Sequence, residues 1–288
     1  MRARAASGPE RPARMGNSSL KMIQSGTDFA RYELGELAVL ALRDGYVDMP
    51  PGRLRQKGDR PFGAELPGQV RLVDGKLRLS VNAFLVIEQG RHILVDTGAG
   101  NAWHPSMGLL LRALAEAGIA REDITAVACT HTHTDHVNGL VAPDGSDAFP
   151  NLEQLFVPQE EVALFDRSER LARFRQRCVP MGNGFAVSDH MVAVAAHGHS
   201  AGHTMFAVPS GGEQLLIWGD IVHVPSIQFA RPELTWELDR DQVQARSTRA
   251  QILDRAAWPG MFVAGAHLDF PGIGSVARDG DAFRFSPL

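Results

Sequence analysis

The chain has 288 residues and a formal net charge of −4 at neutral pH, with 44% hydrophobic and 22% charged residues. This composition is typical of a globular protein, and the acidic balance argues against a nucleic-acid-binding protein, which usually carries a basic excess. Two cysteines, Cys129 and Cys178, are too few for a disulfide framework, so we expect two unpaired thiols and a fold that depends on a hydrophobic core. No apolar run approaches the ~18 residues that cross a membrane.

The N-terminal segment, "MRARAASGPERPARMGNSS", contains four arginines and lacks the apolar stretch of a secretory signal. Its composition predicts a disordered tail over residues 1–28 and, by default, a cytoplasmic protein. Residues 29–288 contain no repeat and no linker-like stretch, so we expect them to form a single domain.

Apolar runs between turn-forming residues predict the secondary structure in chain order. The predicted strands cover residues 29–43, 83–87, 92–95, 124–130, 154–158, 191–196, 205–210, 214–218 and 261–267. The predicted helices cover residues 106–118, 159–178 and 241–257. Asp44-Gly45 and Gln89-Gly90 predict turns, the second of them in a hairpin, and residues 50–68 predict a long loop. Because strands and helices mix without strict alternation, the pattern predicts an α+β fold of packed sheets with helices outside.

Three histidines and an aspartate lie close together in "THTHTDHVNG", which begins at Thr130. In extended backbone His131 and His133 point to one face, so both rings can reach one metal ion. Asp135 and His136 follow after the chain turns and can reach a second ion. This spacing suits two adjacent cations better than one, and imidazole with carboxylate is a donor set that zinc favours. The alternative, a loop of solvated histidines, predicts no metal.

Further candidates follow predicted strands later in the chain. "HGHSAGH" offers His197, His199 and His203, "WGD" offers Asp220, and "GAH" offers His267. Alone these are weak signals, because a Gly-Asp at a strand end is usually a turn and a histidine after an apolar strand is usually a core residue. Their combination with the histidine cluster carries the prediction of a metal site.

The segment "HTHTDH" matches the HxHxDH signature of the metallo-β-lactamase-fold hydrolases, and "VDTGAG", "GHSAGH", "WGD" and "GAH" occur in that family's order. The chain therefore resembles this family over residues 29–288. Through "WGDIVHVPSIQF" and "GAHLDFPGIG" it is most similar to the methyl parathion hydrolase-like branch. The resemblance implies a four-layer αββα sandwich.

The resemblance also implies the ligand set. The residues that match a first metal position are His131, His133 and His199. Those that match the second are Asp135, His136 and His267, with Asp220 bridging both metals. His203 then orients a ligand or the substrate, His197 lies outside the ligand set, and Asp96 braces the ligand loops through hydrogen bonds.

Two catalytic roles follow from the same resemblance. Asp135 would orient a hydroxide that bridges the metals and take its proton, so that no serine or cysteine nucleophile is needed. His223 lies three positions after Asp220, where the homoserine-lactonase branch has a tyrosine that contacts the substrate. A neutral His223 would position substrate by a hydrogen bond. The alternative, a packing histidine, stays open.

The implied function is a dinuclear metal-dependent hydrolase, with zinc preferred over manganese, cobalt or iron. The expected substrate is a small apolar ester-like molecule, namely an aryl phosphotriester, a carboxylic ester or a lactone. Residues 50–68 and 165–174 are expected to line its pocket, and the five arginines between Arg167 and Arg177 to form a solvated helix face rather than an anion site. No nucleic-acid or membrane partner is expected, and a homodimer is left open.

Three alternatives remain at this point. One is an acyl-homoserine lactonase with the same fold and mechanism. Another is an iron redox enzyme built on related ligands, and the third is a metal-binding protein without catalysis. A nuclease of this fold is disfavoured by the acidic charge.

Overall fold

The computed structural model of the chain describes residues 20–62, 66–101 and 103–288. The strands in chain order are β1 (Lys21–Ser25), β2 (Phe29–Leu34), β3 (Leu37–Met49), β4 (Leu54–Gln56), β5 (Arg60–Pro61), β6 (Leu77–Glu88), β7 (Arg91–Val95), β8 (Ile124–Ala128), β9 (Gln154–Pro158), β10 (Cys178–Met181), β11 (Ala186–Ser188), β12 (Met191–Ala195), β13 (Thr204–Ser210), β14 (Glu213–Ile217), β15 (Thr235–Trp236), β16 (Met261–Ala264), β17 (Ile273–Asp279) and β18 (Ala282–Pro287). The α-helices are α1 (Leu110–Glu116), α2 (Thr134–Val137), α3 (Leu164–Arg167), α4 (Pro225–Gln228) and α5 (Gln242–Ala256). None of these helices is long and apolar enough to cross a membrane.

Two large sheets pack face to face. The first has the strand order β1-β2-β3-β6-β7-β8-β9-β10, and the second has the order β11-β12-β13-β14-β16-β17-β18. Between them lies a core to which both sheets contribute fully buried side chains, among them Val39 and Val86 from the first and Phe206 and Ile217 from the second. A small third sheet has the order β15-β4-β5, and its Leu54 and Trp236 pack with side chains of β3 and β6.

Helices cover the outer faces of the two large sheets. Leu110, Ala113 and Leu114 of α1 pack on the outer face of the first sheet. On the second sheet, Ile252, Leu253 and Ala256 give α5 an apolar stripe at helical spacing. Asp241 caps this helix by accepting hydrogen bonds from the backbone N–H groups of residues 243 and 244. The result is the predicted four-layer αββα sandwich.

The hairpin predicted at Gln89-Gly90 is confirmed. Strands β6 and β7 pair antiparallel on either side of it, and the two turn residues have positive φ angles of 49° and 84°. Two residues in this conformation match the right-handed twist of the flanking strands. The two cysteines are free thiols, as expected, with Cys129 buried and Cys178 half-buried.

Asp44-Gly45 does not form the predicted turn. The pair lies inside β3, where the register against β6 shifts between Arg43 and Gly45, so it forms a bulge. Asp44 is buried there and accepts hydrogen bonds from the backbone N–H groups of Ala99 and Leu110. A side chain on Gly45 would collide with the carbonyl oxygen of Ser106. The bulge therefore attaches the loop that follows β7 to the first sheet.

Two other predictions of secondary structure are wrong. The tail predicted over residues 1–28 extends too far, because Lys21–Ser25 forms β1 and pairs with β2. Residues 1–19 lie outside the described residues. The helix predicted over residues 159–178 is divided into two short turns and α3. Its arginines are used locally, since Arg170 and Arg173 donate to backbone carbonyls and Arg177 pairs with Asp147. Arg167, Arg173 and Arg175 are exposed, as expected for a solvated surface, but the segment is not one regular helix.

The loops that carry the candidate ligands meet at one edge of the sandwich. In the first sheet β7 runs parallel to β8, so Asp96 and His131 follow strand ends at the same edge. In the second sheet β14 runs parallel to β16, which places Asp220 and His267 together in the same way. Packing of the two sheets brings these four loops together.

Candidate metal centre

Three histidine rings and one carboxylate form the first group of donor atoms. The Nε2 atoms of His131 and His199 each lie 2.9 Å from Nδ1 of His133. Oδ2 of Asp220 lies 3.2 Å from Nε2 of His199 and 3.8 Å from Nε2 of His131. All four donor atoms fall within 4.8 Å of one another, so one cation could contact them together. The structure thus brings together the residues predicted for the first metal.

The second group of donor atoms consists of Asp135, His136 and His267, also within 4.8 Å of one another. Nε2 of His136 lies 3.7 Å from Oδ2 of Asp135 and 3.2 Å from Oδ1 of Asp220. Nε2 of His267 lies 3.6 Å and 3.2 Å from Oδ2 of the same two aspartates. Asp220 therefore faces both groups, which is the position predicted for a bridging ligand.

Hydrogen bonds on the far side of the rings direct their donor atoms into the site. The Nδ1–H of His136 donates to Asp96 and that of His199 donates to Asp239, each at 2.8 Å. The Nδ1–H of His267 donates to the carbonyl oxygen of residue 80 at 2.7 Å. Because Nδ1 of each ring donates to this acceptor, Nε2 faces the site.

Burial and neighbouring carboxylates set the charge of these groups. Burial lowers the pKa of His131 and His133 below the usual histidine value, so both rings are neutral. Burial acts in the same direction on His199, but the carboxylates of Asp220 and Asp239 outweigh it and raise its pKa to about 9. Burial opposes the ionisation of Asp220, yet the surrounding histidines hold the pKa of its carboxyl well below the usual value. The site therefore attracts positive charge.

His203, Asp96 and His197 lie where the sequence placed them. His203 is fully buried, donates Nδ1–H to the carbonyl oxygen of Ala196, and accepts the backbone N–H of Asp220 at Nε2. Asp96 accepts hydrogen bonds from the backbone and hydroxyl of Thr130 as well as from the ring of His136. Both residues orient the metal-site loops from outside. His197 is half-buried and belongs to neither group of donor atoms.

His223 lies at the edge of the cluster with its ring between two others. It stacks on Trp236 and on His267, with ring centroids 5.2 Å apart in both pairs. Its Nε2 lies 3.2 Å from Oδ2 of Asp220, and burial lowers the pKa of the ring to about 4. The ring is therefore neutral at physiological pH and its orientation is fixed by stacking.

Sequence reasoning missed three charged residues that hold the site. Asp239 accepts a hydrogen bond from His199 and one from the backbone of Trp236. Arg249 is only 1% exposed, lies 3.7 Å from Asp239, and donates to the carbonyl oxygen of Ile221, next to Asp220. Glu161 contacts two ligand loops. Single acidic or basic residues in polar stretches give no sequence pattern, so no signal distinguished these three.

Only some of the residues predicted to line the substrate pocket lie near the donor atoms. Phe165 and Phe174 are fully buried in the core under the first sheet, so the prediction that residues 165–174 line a pocket is wrong for these side chains. Within residues 50–68, Leu54 belongs to the apolar cluster that includes Trp236, and β4 pairs with β15. This segment therefore reaches the site through the ring that stacks on His223.

Buried polar atoms in the cluster support the fit to cations. Among the described residues, Nε2 of His136, Oδ1 of Asp220 and both ring nitrogens of His223 are buried without a well-aligned hydrogen bond, although Nε2 of each histidine lies 3.2 Å from the Asp220 carboxylate. Burying such groups unpaired is costly, and coordination of a cation would satisfy the first two. Seven histidine and aspartate donors in two groups are more than one tetrahedral ion requires. The donor set fits two divalent cations.

Comparison with known proteins agrees with this geometry. Residues 77–142 match the family model described as "Metallo-beta-lactamase superfamily". A 48-residue segment is 52% identical to metallo-beta-lactamase domain-containing protein 1 of Mus musculus, a match that covers 17% of this chain and 17% of that protein.

Solved structures are similar over nearly the whole chain. The hydrolase AbOPH of the beta lactamase superfamily is 26% identical with a TM-score of 0.80, covering 92% of this chain and 99% of that one. AidC, a dizinc quorum-quenching lactonase in complex with the product N-hexnoyl-L-homoserine, is 25% identical with a TM-score of 0.80, covering 94% and 99%. A probable metal-dependent hydrolase from Staphylococcus aureus is 19% identical with a TM-score of 0.71, covering 88% and 97%.

The protein therefore has the metallo-β-lactamase fold. The family-model match and the structural neighbours together support its placement in the metallo-β-lactamase superfamily. These neighbours include a hydrolase and a lactonase.

Proposed function

We propose that the protein is a dinuclear metal-dependent hydrolase that acts on a small apolar ester-like substrate. The observation that carries the proposal is the pair of donor groups that share Asp220 at one edge of the sandwich. In the proposal His131, His133 and His199 hold one cation, Asp135, His136 and His267 hold the other, and Asp220 contacts both. When bound, two such cations polarise a substrate oxygen and lower the pKa of a water molecule toward neutrality.

The side chains of the protein would then perform the remaining steps. Asp135 is 8% exposed, more than His136 or His267, so in the second donor group it is nearest to solvent, where its carboxylate can orient the attacking water and accept a proton. His223 is neutral, with Nε2 3.2 Å from Oδ2 of Asp220 and Nδ1 without a hydrogen-bond partner among the described residues, so the ring can donate a hydrogen bond to the substrate. These two residues are the proposed catalytic groups beyond metal binding.

Zinc is the cation we propose, because imidazole and carboxylate donors suit it and because the neighbour AidC is described as a dizinc enzyme. Manganese, cobalt and iron accept similar donors. The proposed substrates are aryl phosphotriesters, carboxylic esters and lactones. The apolar cluster of Leu54, Val224 and Trp236 packs beside His223 but is itself buried, so the substrate class is proposed from the resemblance alone.

Acyl-homoserine lactone hydrolysis is the second candidate. It is favoured by the similarity to AidC, whose structure contains N-hexnoyl-L-homoserine as product. His223 in place of the tyrosine of the homoserine-lactonase branch favours substrates whose leaving group needs little protonation. A comparison of rates on acyl-homoserine lactones and on aryl esters separates the two candidates.

The proposal is tested by a hydrolysis panel of lactones, aryl esters and phosphotriesters, with metal content measured on the same sample. We expect turnover on at least one class, loss of turnover after chelation, and recovery when zinc is added back. Iron content accompanied by oxygen consumption would instead support a redox enzyme. Stoichiometric metal binding without turnover on any class would support a metal-binding protein without catalysis.

A further inference from the structure

One carboxylate outside the metal cluster connects two of the loops that carry its ligands. Oε2 of Glu161 accepts hydrogen bonds from the backbone N–H of Thr132 at 2.7 Å and from its hydroxyl at 2.8 Å. Oε1 accepts the hydroxyl hydrogen bond of Ser200 and the backbone N–H of Gly202 at 2.9 Å. Each carboxylate oxygen thus serves one loop.

The contacted residues are immediate neighbours of proposed ligands. Thr132 lies between His131 and His133, and Ser200 follows His199 directly. The two loops belong to different sheets, since one follows β8 of the first sheet and the other lies between β12 and β13 of the second. A backbone hydrogen bond from the N–H of Thr204 to the carbonyl oxygen of Thr130 also joins the two segments, and Glu161 adds four hydrogen bonds closer to the proposed ligands.

Glu161 reaches both loops because of where it lies in the chain. It ends the short turn Gln159–Glu161, which follows β9, the parallel neighbour of β8. The second loop approaches closely, since a side chain on Gly202 would come within 2.7 Å of a carbon of Pro158 and 2.9 Å of one of Glu161. A glycine is required at this position for the carboxylate to meet the backbone N–H.

The carboxylate is ionised in this environment. Burial alone would raise the pKa of Glu161, but the hydrogen bonds from Ser200, Thr132 and Gly202 outweigh it and place the pKa below the usual value. An ionised carboxylate accepts several hydrogen bonds at once, whereas an amide of the same shape replaces one acceptor by a donor. The four donors therefore match a glutamate and not a glutamine.

The spacing of the two loops sets the geometry of the three-histidine group. The donor nitrogens of His131 and His199 each lie 2.9 Å from that of His133, and His199 lies on the other loop. Hydrogen bonds to an ionised group are among the stronger contacts that a protein can use to fix such a spacing.

We propose that Glu161 is a positioning residue that sets the distance between the His131–His133 loop and the His199 loop and so prepares the three-histidine group for a divalent cation. The inference rests on the proposed metal centre. Glu161 does not contact the substrate in this proposal. It raises the affinity for metal by holding the two loops at the required distance.

The test compares Glu161→Gln with Glu160→Gln, a matched variant that removes the same charge from an exposed neighbour. Amide hydrogen exchange is measured by mass spectrometry on chelator-treated protein, for peptides that span residues 130–134 and 198–204. Zinc affinity is measured by competition with a chromophoric chelator, and the visible spectrum of the cobalt-loaded protein reports the ligand geometry.

We expect faster exchange in both peptides of Glu161→Gln and an affinity loss of about 10–100-fold for one of the two metal equivalents. We also expect a changed cobalt spectrum, while Glu160→Gln behaves as wild type. Wild-type affinity and spectrum in Glu161→Gln would overturn the inference, even if exchange were faster, because the residue would then only support the fold. A wild-type protein that binds no metal would refute the proposed function instead.

Discussion

His199 and His203 are four positions apart in one motif but have different surroundings. Nε2 of His199 lies among the donor atoms, whereas both nitrogens of His203 are engaged by Ala196 and by the backbone of Asp220. The first ring is therefore available to a cation and the second is not. The distinction could be predicted from the family motif, and the structure supplies its physical reason.

We expect His199→Ala to lose metal and activity, because removal of one ligand opens a coordination position. His203→Ala should keep most of its metal and lose about 10–100-fold in affinity or activity, because it only loosens Asp220. Metal content by atomic emission and kcat/KM on the best substrate are the measurements. The reverse pattern would show that His203, and not His199, is the ligand.

His223 offers a second test at the scale of one residue. We expect His223→Ala to keep both metals and to lose more rate on alkyl lactones than on aryl esters or phosphotriesters, since good leaving groups need less help from a hydrogen-bond donor. His223→Phe is the matched control, because it keeps an aromatic ring between Trp236 and His267 and removes both nitrogens. Recovery of full activity by the phenylalanine would show that His223 only packs.

The residues that sequence analysis missed share a physical property. Asp239, Arg249 and Glu161 act through contacts with loops that are distant in the chain, such as the 2.8 Å hydrogen bond between His199 and Asp239 across 40 positions. Nothing in their own neighbourhood marks them, because a single charged residue is usually solvated. The proposed ligands were easier to find because "HTHTDH" concentrates four of them in six positions.

At the scale of elements, sequence patterns were informative where local propensity and tertiary structure agree. The hairpin at Gln89-Gly90 and helix α5 with its Asp241 cap follow from residues adjacent in sequence. Sequence patterns gave the wrong structure where contacts with distant residues determine the backbone conformation, as in the bulge at Asp44-Gly45. There the Asp44 carboxylate binds backbone groups of Ala99 and Leu110, more than fifty positions away. A two-residue turn signal contains no information about such partners.

An ion-pair cluster connects the edges of the two large sheets. His190, between β11 and β12, contacts Glu88 at the end of β6 and Glu36 between β2 and β3. The hydrogen bond to Glu88 raises the pKa of the His190 ring above its usual value of 6.5. The cluster therefore holds an additional proton in the folded protein, and this part of its stabilisation depends on pH.

Because the folded pKa of His190 is the higher one, its contribution to stability is fully present below about pH 6.5 and is lost as pH rises through the folded pKa. The ring is partly exposed, so we expect less than about 1 kcal/mol. Urea unfolding of wild type and His190→Gln at about pH 6 and about pH 9 measures it. Wild type should be the more stable protein at the lower pH only. A difference that persists unchanged at the higher pH would assign the contribution to uncharged contacts.

At the scale of the whole molecule, two stacked sheets deliver ligands from both halves of the chain to one edge. His131 and His136 come from the first sheet and Asp220 and His267 from the second. The layered fold was predictable from the resemblance and from the mixed pattern of strands and helices. The side chains that line a substrate pocket were not predictable. An apolar residue such as Phe165 or Phe174 looks the same in the sequence whether it lies in the core or in a pocket.

If two cations share Asp220, the saturated protein contains two metal ions per chain. The protein is stripped with a chelator, titrated with zinc under calorimetric detection, and analysed for bound metal by atomic emission after gel filtration. The donor set predicts two ions per chain, and Asp220→Ala should weaken both binding events because this carboxylate faces both groups. A stoichiometry that stays at one ion per chain after saturation would contradict the dinuclear centre.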